Sequence, residues 1–203
     1  MITPVGSGSC ELWQMATLKG AFKQLFNPAM TRSMFFLDFY VYPVLIILCL
    51  VVAFRSSRES NIPEFLGLVL LGYVGWTLIE YLVHRSILHH VAAFRALHKA
   101  HHDASHELVG TPTIYSVSAF YLLGYLPLAE IWGRGIAASV LTGLLIGYSS
   151  YVVLHYALHH VSSHGFRIIK RLKRKHALHH QFQDTNFGVT NDIWDRIFGT
   201  FAK

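Results

Sequence analysis

The stretch Phe65–His102, FLGLVLLGYVGWTLIEYLVHRSILHHVAAFRALHKAHH, decides the fold. From Phe65 to Val83 a single charged residue, Glu80, interrupts an otherwise uncharged run. As a helix rising 1.5 Å per residue, that run is long enough to cross a hydrocarbon core of roughly 30 Å. The span then opens directly onto histidine. His84 and His89 form HxxxxH, and His98, His101 and His102 form HxxHH. The same arrangement returns later as HxxxH at His155 and His159 and HxxHH at His176, His179 and His180. The sequence therefore alternates membrane-length apolar runs with polar, histidine-rich segments.

Composition agrees with that reading. Of 203 residues, 53% are hydrophobic and only 14% charged, and the mean hydropathy is positive. Apolar residues gather into spans expected at about 34–54, 65–83, 113–132 and 136–154. Gly133-Arg134-Gly135 links the last two as a hairpin, and Pro127 is placed to kink the third. Residues 1–33 form an N-terminal segment. Within it, Leu12, Met15, Leu18, Phe22, Leu25 and Phe26 give the stripe of an amphipathic helix at the membrane interface or against the protein's own cap. Met1 to Cys10 lacks the basic start of a secretory signal. Residues 34–203 make one domain, with a cap from 84–112 and 155–203. The expected fold is all-α and integral to the membrane: four transmembrane helices under a histidine-rich helical cap holding a dimetal centre.

The net charge of +6 suggests nucleic acid only until it is mapped. With the N-terminus in the cytoplasm, fourteen Lys and Arg residues fall on the cytoplasmic side and Arg55, Arg58 and Arg134 on the other. Such a positive-inside bias accounts for the basic balance by topology, with no nucleic-acid partner, and puts both termini and all histidine motifs in the cytoplasm. The cluster Arg167–Lys175 is placed to touch anionic headgroups as well. Cys10 and Cys49 are too few for a disulfide framework and lie in no CxxC pattern.

The chain holds fourteen histidines, ten of them in the four patterns. Neutral imidazole is the commonest side-chain ligand of zinc, iron, copper and nickel. Residues three and four apart share a helix face, so each HxxHH converges, as do His155 and His159. His84 and His89 diverge by roughly 140° on one ideal helix; they need a helix end between them or serve different ions. The absence of HExxH argues against a zinc metalloprotease, and ten nitrogen ligands without thiolates exceed one structural zinc site. Two ions with about five imidazoles each is the natural division. Zinc, near the top of the divalent affinity series, competes for such a site in a purified sample.

In their order, HRSILH, LHKAHH, HYALHH, KHALHH and then FGVTNDIWDRIFGT, these motifs resemble the fatty acid hydroxylase/sterol desaturase superfamily of integral-membrane di-iron enzymes, over about residues 65–203. IGYSSYVVLHYALHH and the tail are most similar to fatty acid 2-hydroxylases. The resemblance implies two iron ions on His84, His89, His98, His101, His102, His155, His159, His176, His179 and His180. It further implies O2 as co-substrate, hydroxylation of a lipid acyl chain drawn from the bilayer, and no catalytic residue beyond the metal ligands. Eukaryotic members often carry a fused cytochrome b5 domain that nothing here resembles, so a separate ferredoxin or cytochrome b5-like carrier supplies electrons. Gly110-Thr111-Pro112 stands where many relatives have a double proline. A sterol or carotenoid desaturase or hydroxylase is the alternative within the superfamily. A metal transporter or sensor is the alternative outside it, disfavoured because the histidines gather at span ends and not near the midplane.

Around the motifs, His90, His106, His160 and His164 read as solvated or capping residues. Glu80, Asp103, Glu107, Asp184, Asn186, Asp192 and Asp195 are candidates to orient ligand imidazoles, with interfacial or packing roles as the alternative. Trp194 and Phe198 read as anchors of the tail. Tyr73, Trp76, Tyr121, Tyr125 and Tyr148 are candidates to line the acyl path.

Overall fold

The computed structural model describes residues 30–56, 61–108, 110–162 and 166–203. The amphipathic segment expected at Glu11–Phe26, together with Arg58 and His164, lies outside them. Among the described residues, four helices are long and apolar enough to cross a membrane: α1 (Arg32–Ser56), α2 (Ile62–Leu88), α4 (Thr113–Trp132) and α5 (Arg134–His160). Three shorter helices, α3 (Ala92–Asp103), α6 (Arg167–Gln181) and α7 (Ile193–Ile197), build the cap and tail. Leu48, Leu70, Leu71 and Leu123 are each more than half exposed. Such outward apolar faces belong in hydrocarbon, not water.

The bundle is organised on α5. Its inward face, including Ala137, Ala138, Leu141, Leu145 and Tyr148, is buried, and it packs along both α1 and α2. Glycine sets how closely α2 approaches. A Cβ on Gly143 would lie 2.0 Å from the Val69 carbonyl oxygen, and one on Gly72 would lie 2.0 Å from that of Val140. Small residues let membrane helices touch backbone to backbone. Two polar bonds tie the other helices in. Tyr148 donates to Asp38 Oδ2 at 2.7 Å, so the one acidic residue of α1 is met by the fourth span. Tyr42 donates to Ser116 Oγ at 2.7 Å.

Span boundaries differ from expectation where chemistry begins. The second helix runs past Val83 to Leu88 and the fourth past Leu154 to His160, so His84 and both His155 and His159 are carried on continuous helix. Over Val83–Leu88, α2 widens into a π-helical turn. In α4 a second π turn, Phe120–Tyr125, precedes Pro127. Proline clashes with the carbonyl four residues back, and the widened turn accommodates that break without ending the helix. The hairpin link contracts to Gly133 alone, whose φ of 84° a side chain would oppose; Arg134 already starts α5.

Candidate metal centre

Five imidazoles, His84, His89, His98, His102 and His179, form one pocket, and His101, His155, His159 and His176 form a second. In each, the nearest nitrogens of all members lie within 4.8 Å of one another. His180 adjoins the second, with Nε2 3.2 Å from His176 Nε2, and stacks on His102 at 4.3 Å, so it stands between the two. All ten sequence-selected histidines are brought together.

The grouping corrects one expectation and decides between two others. Each HxxHH does not converge on one point: His98 and His102 enter the first pocket while His101 enters the second, and His176 enters the second while His179 crosses to the first. Residues at i and i+4 stay together; the one between, offset around the helix, reaches the neighbouring pocket. For His84 and His89, the first of the two alternatives holds: a helix end falls between them and they share one pocket. The π turn hydrogen-bonds i to i+5, which brings residues five apart towards one face, and the helix ends immediately before His89.

The nitrogen geometry asks for a cation. His98 Nε2 has three nitrogen neighbours, His84 Nε2 at 2.9 Å, His89 Nε2 at 3.1 Å and His102 Nε2 at 2.9 Å. A neutral ring nitrogen either donates one proton or offers one lone pair, so at most one of these contacts is a hydrogen bond. The rest leave lone pairs facing one another. The second pocket repeats this: His159 Nε2 is 3.2 Å from His155 Nε2 and 2.8 Å from His176 Nε2. A cation about 2.1 Å from each nitrogen, with ligands at right angles, spaces them about 3.0 Å apart. His101 Nδ1 and Nε2, both buried, have no hydrogen-bond partner among the described residues. The residues fit a pair of metal ions.

Protonation agrees. Burial, then the neighbouring imidazoles, pushes His89 and His180 down to about 4 and His101 to about 2. Burial holds His179 at about 3 against the opposing bond to Thr185, and His98 and His176 are lowered for the same cause. These cap imidazoles are neutral near pH 7, with lone pairs free.

Partners on the far ring nitrogens orient the rings. His84 Nδ1 lies 2.5 Å from the Phe187 carbonyl, and His179 Nδ1 lies 2.7 Å from that of Thr185. A carbonyl only accepts, so both Nδ1 atoms carry the proton and both Nε2 atoms are left for metal. These partners are backbone atoms of the tail, which residue types could not reveal. The carboxylates named from sequence act one step away. Glu80 Oε1 accepts from the Val189 and Thr190 N–H groups and Oε2 from the Thr190 hydroxyl. Asp195 accepts from the N–H groups of Phe187 and Gly188. Asp103 instead pairs with Lys99 on the surface, and Asp192 with Arg171 and Arg196. Trp194 anchors the tail by donating to Thr77 Oγ1 at 3.0 Å, and Phe198 stacks on Tyr81. Of the remaining histidines, His90 bonds the Arg85 carbonyl and His160 stacks on Tyr156; both are exposed.

A cavity of about 400 Å3 reaches the centre from the bundle side. His84, His98, His101 and His155, drawn from both pockets, form its inner wall, while Phe35, Leu88, Leu97 and Val152 supply apolar lining and Gly110-Thr111-Pro112 one edge. Of the five aromatics expected along an acyl path, Tyr148 lines it. Trp76 packs behind on Tyr148 and Phe120, and Tyr121 stacks on Tyr125 with half its surface outward.

Four membrane-length helices with paired histidine pockets at one end define a helical membrane protein with a candidate dimetal centre. A model of the fatty acid hydroxylase family matches residues 69–200, and the chain belongs to that family. Dihydroceramide fatty acyl 2-hydroxylase FAH2 of Arabidopsis thaliana is 32% identical over 165 residues, which cover 76% of this chain and 68% of that protein. The fatty acid 2-hydroxylase of Rattus norvegicus is 33% identical over 167 residues, covering 74% of this chain and 44% of that one. The chain thus spans about two thirds of the plant relative and under half of the rat one. A solved structure of full-length scs7p, in which only the hydroxylase domain is visible, matches with a TM-score of 0.73 and 24% identity, over 87% of this chain and 68% of that one. That likeness is one of fold.

Proposed function

We propose that this chain hydroxylates an acyl chain of a fatty acid or membrane lipid, at the carbon beside the carbonyl. The observation that carries the reading is the apolar cavity ending on histidines of both pockets. An acyl chain is the ligand such a wall selects, since burying it releases apolar surface from water at about 25 cal/mol per Å2. The ten histidines hold two iron ions, which when bound supply the O2 chemistry that an unactivated C–H bond requires. The protein's own residues hold the ligands neutral, fix ring orientation through the tail carbonyls, and shape a chamber from which bulk water is largely excluded. Tyr148 and Asp38, bonded to each other on the cavity wall, are polar groups beside which a lipid's polar end can rest.

Residues 34–203 act as one catalytic unit, because α2, α3, α5 and α6 all contribute histidines. Electrons come from a separate ferredoxin or cytochrome b5-like carrier. The basic bias of the cap supports a cytoplasmic position for the centre and both termini. The names of the relatives, which specify 2-hydroxylation of fatty acyl chains, support the choice of carbon. Purified protein reloaded with ferrous iron, given a reductant and 18O-labelled O2, is expected to place labelled oxygen on the acyl carbon next to the carbonyl. Product oxygen derived from water, or oxidation at another carbon, would overturn the assignment.

A further inference from the structure

The tail loop Thr185–Thr190 bonds the metal pocket from outside, and its own bonds converge on a carboxylate far from any ligand in sequence. Asp195 is fully buried. Its Oδ1 accepts from the Phe187 N–H at 2.7 Å and from the Thr200 hydroxyl at 2.9 Å. Its Oδ2 accepts from the Gly188 N–H at 3.0 Å and lies 3.5 Å from Lys175 Nζ. The Gly188 N–H belongs to the same peptide unit as the Phe187 carbonyl, and that carbonyl receives the Nδ1 proton of His84 at 2.5 Å. One amide group therefore carries a carboxylate at one end and a ligand imidazole at the other.

We propose that Asp195 is a positioning residue of the first metal pocket, acting on His84 through the Phe187–Gly188 peptide. This rests on the reading of that pocket as a metal site. A hydrogen bond from N–H to a carboxylate polarises the amide, leaves its carbonyl oxygen more negative, and makes it a stronger acceptor. His84 Nδ1–H is held more firmly, Nε2 becomes a better donor to a cation, and the ring is fixed towards His98. Metal-bound histidine commonly bonds a carboxylate directly; here a peptide group stands between them. The sequence separation of His84 and Asp195 is bridged because Glu80, one turn before His84, accepts from Val189 and Thr190 and so docks the loop on α2. Lys175, buried between the Asn191 carbonyl and Asp195, offsets the buried charge.

The test is titration of the purified full chain in detergent with cobalt(II) against a competing chelator, following the visible spectrum of each pocket. Asp195→Asn turns an NH2 group towards one of the two peptide N–H groups and leaves the rest of the loop in place. It is expected to weaken cobalt at one pocket by roughly 10–100-fold, the usual cost of losing a ligand's outer partner, while the other pocket fills as in wild type and so reports an intact fold. In a His84→Ala background the same change is expected to add nothing. Asp192→Asn, which touches Arg171 and Arg196 on the same tail, is expected to leave both affinities unchanged. Equal weakening at both pockets, an effect that adds to His84→Ala, or no effect overturns the proposal. If Asp195→Asn loses its helical circular dichroism, Thr200→Val, which loosens the same carboxylate from its other side, carries the same expectations at smaller size. A wild-type chain that binds no cobalt overturns the metal reading itself.

Discussion

The crossing of α2 and α5 makes a stringent prediction, because the two helices that meet there carry His84, His155 and His159 at their ends. In Gly143→Ala the new Cβ lies 2.0 Å from the Val69 carbonyl oxygen and 2.7 Å from the Tyr73 nitrogen. Real Cβ atoms do not approach closer than 3.0 Å, so the backbones must part by at least about 1 Å. Neither neighbour can yield, since both are main-chain atoms. Overpacking of this kind costs about 1–3 kcal/mol, which for a chain of this size lowers Tm by about 2–12 °C. Gly67→Ala is the matched control. On the same α2, its Cβ meets nothing within 4 Å, so relief of glycine's backbone entropy leaves stability equal or raised by about 0.5–1 kcal/mol. Thermal unfolding of both variants in one detergent reads the difference. The expected order is Gly143→Ala below wild type and Gly67→Ala at or above it. Equal Tm for the two would refute the close crossing.

Three further outcomes follow from the centre and its cavity. His101→Ala removes an imidazole of the second pocket only, so on the two-ion reading the metal bound per chain should halve; elemental analysis showing all metal lost would mean the pockets are not separable. In the metal-free protein, His89, His179 and His180 are held at about 4, 3 and 4 against 6.5 for an ordinary imidazole. The unfolded chain then binds more protons below pH 6.5, so stability complete above that pH should fall as pH drops towards 4. A flat melting profile over that window, measured with chelator present, would contradict it. Thr111→Trp, at the exposed edge of the cavity, should raise KM for long acyl substrates and leave metal content unchanged; altered metal content would place Thr111 in the centre and not at its mouth.

How much of this was legible in the sequence depends on the range of the interaction. Four spans were readable because membrane-length apolar runs are local, and the histidine motifs because ligand types and spacings are local too. The sharing of each HxxHH between pockets was not. It depends on how the histidines of α3 and α6 meet across the two pockets, and an i, i+3, i+4 triad drawn on one helix gives no sign that His101 and His179 face outward from their own group. The π turn at Val83–Leu88 was hidden too, since VHRSIL has ordinary helical composition and carries no local sign of a wider turn. Glu80 and Asp195 were picked out as polar residues near the motifs, but their partners are backbone N–H groups, which every residue carries. Of the aromatics named from the spans, Tyr148 lines the cavity, Trp76 packs behind it and Tyr121 stacks on Tyr125, since an aromatic in a span packs, faces lipid or lines a cavity with the same local pattern.

The central claim, that the double-histidine centre oxidises a lipid acyl chain, is tested most directly by mass spectrometry of total lipids from cells expressing the wild-type chain or its His179→Ala variant. The account predicts acyl lipids heavier by one oxygen in the wild type, with fragmentation placing it beside the carbonyl, and their absence in the variant. The same product in both, or a wild-type product lighter by two hydrogens, would contradict it.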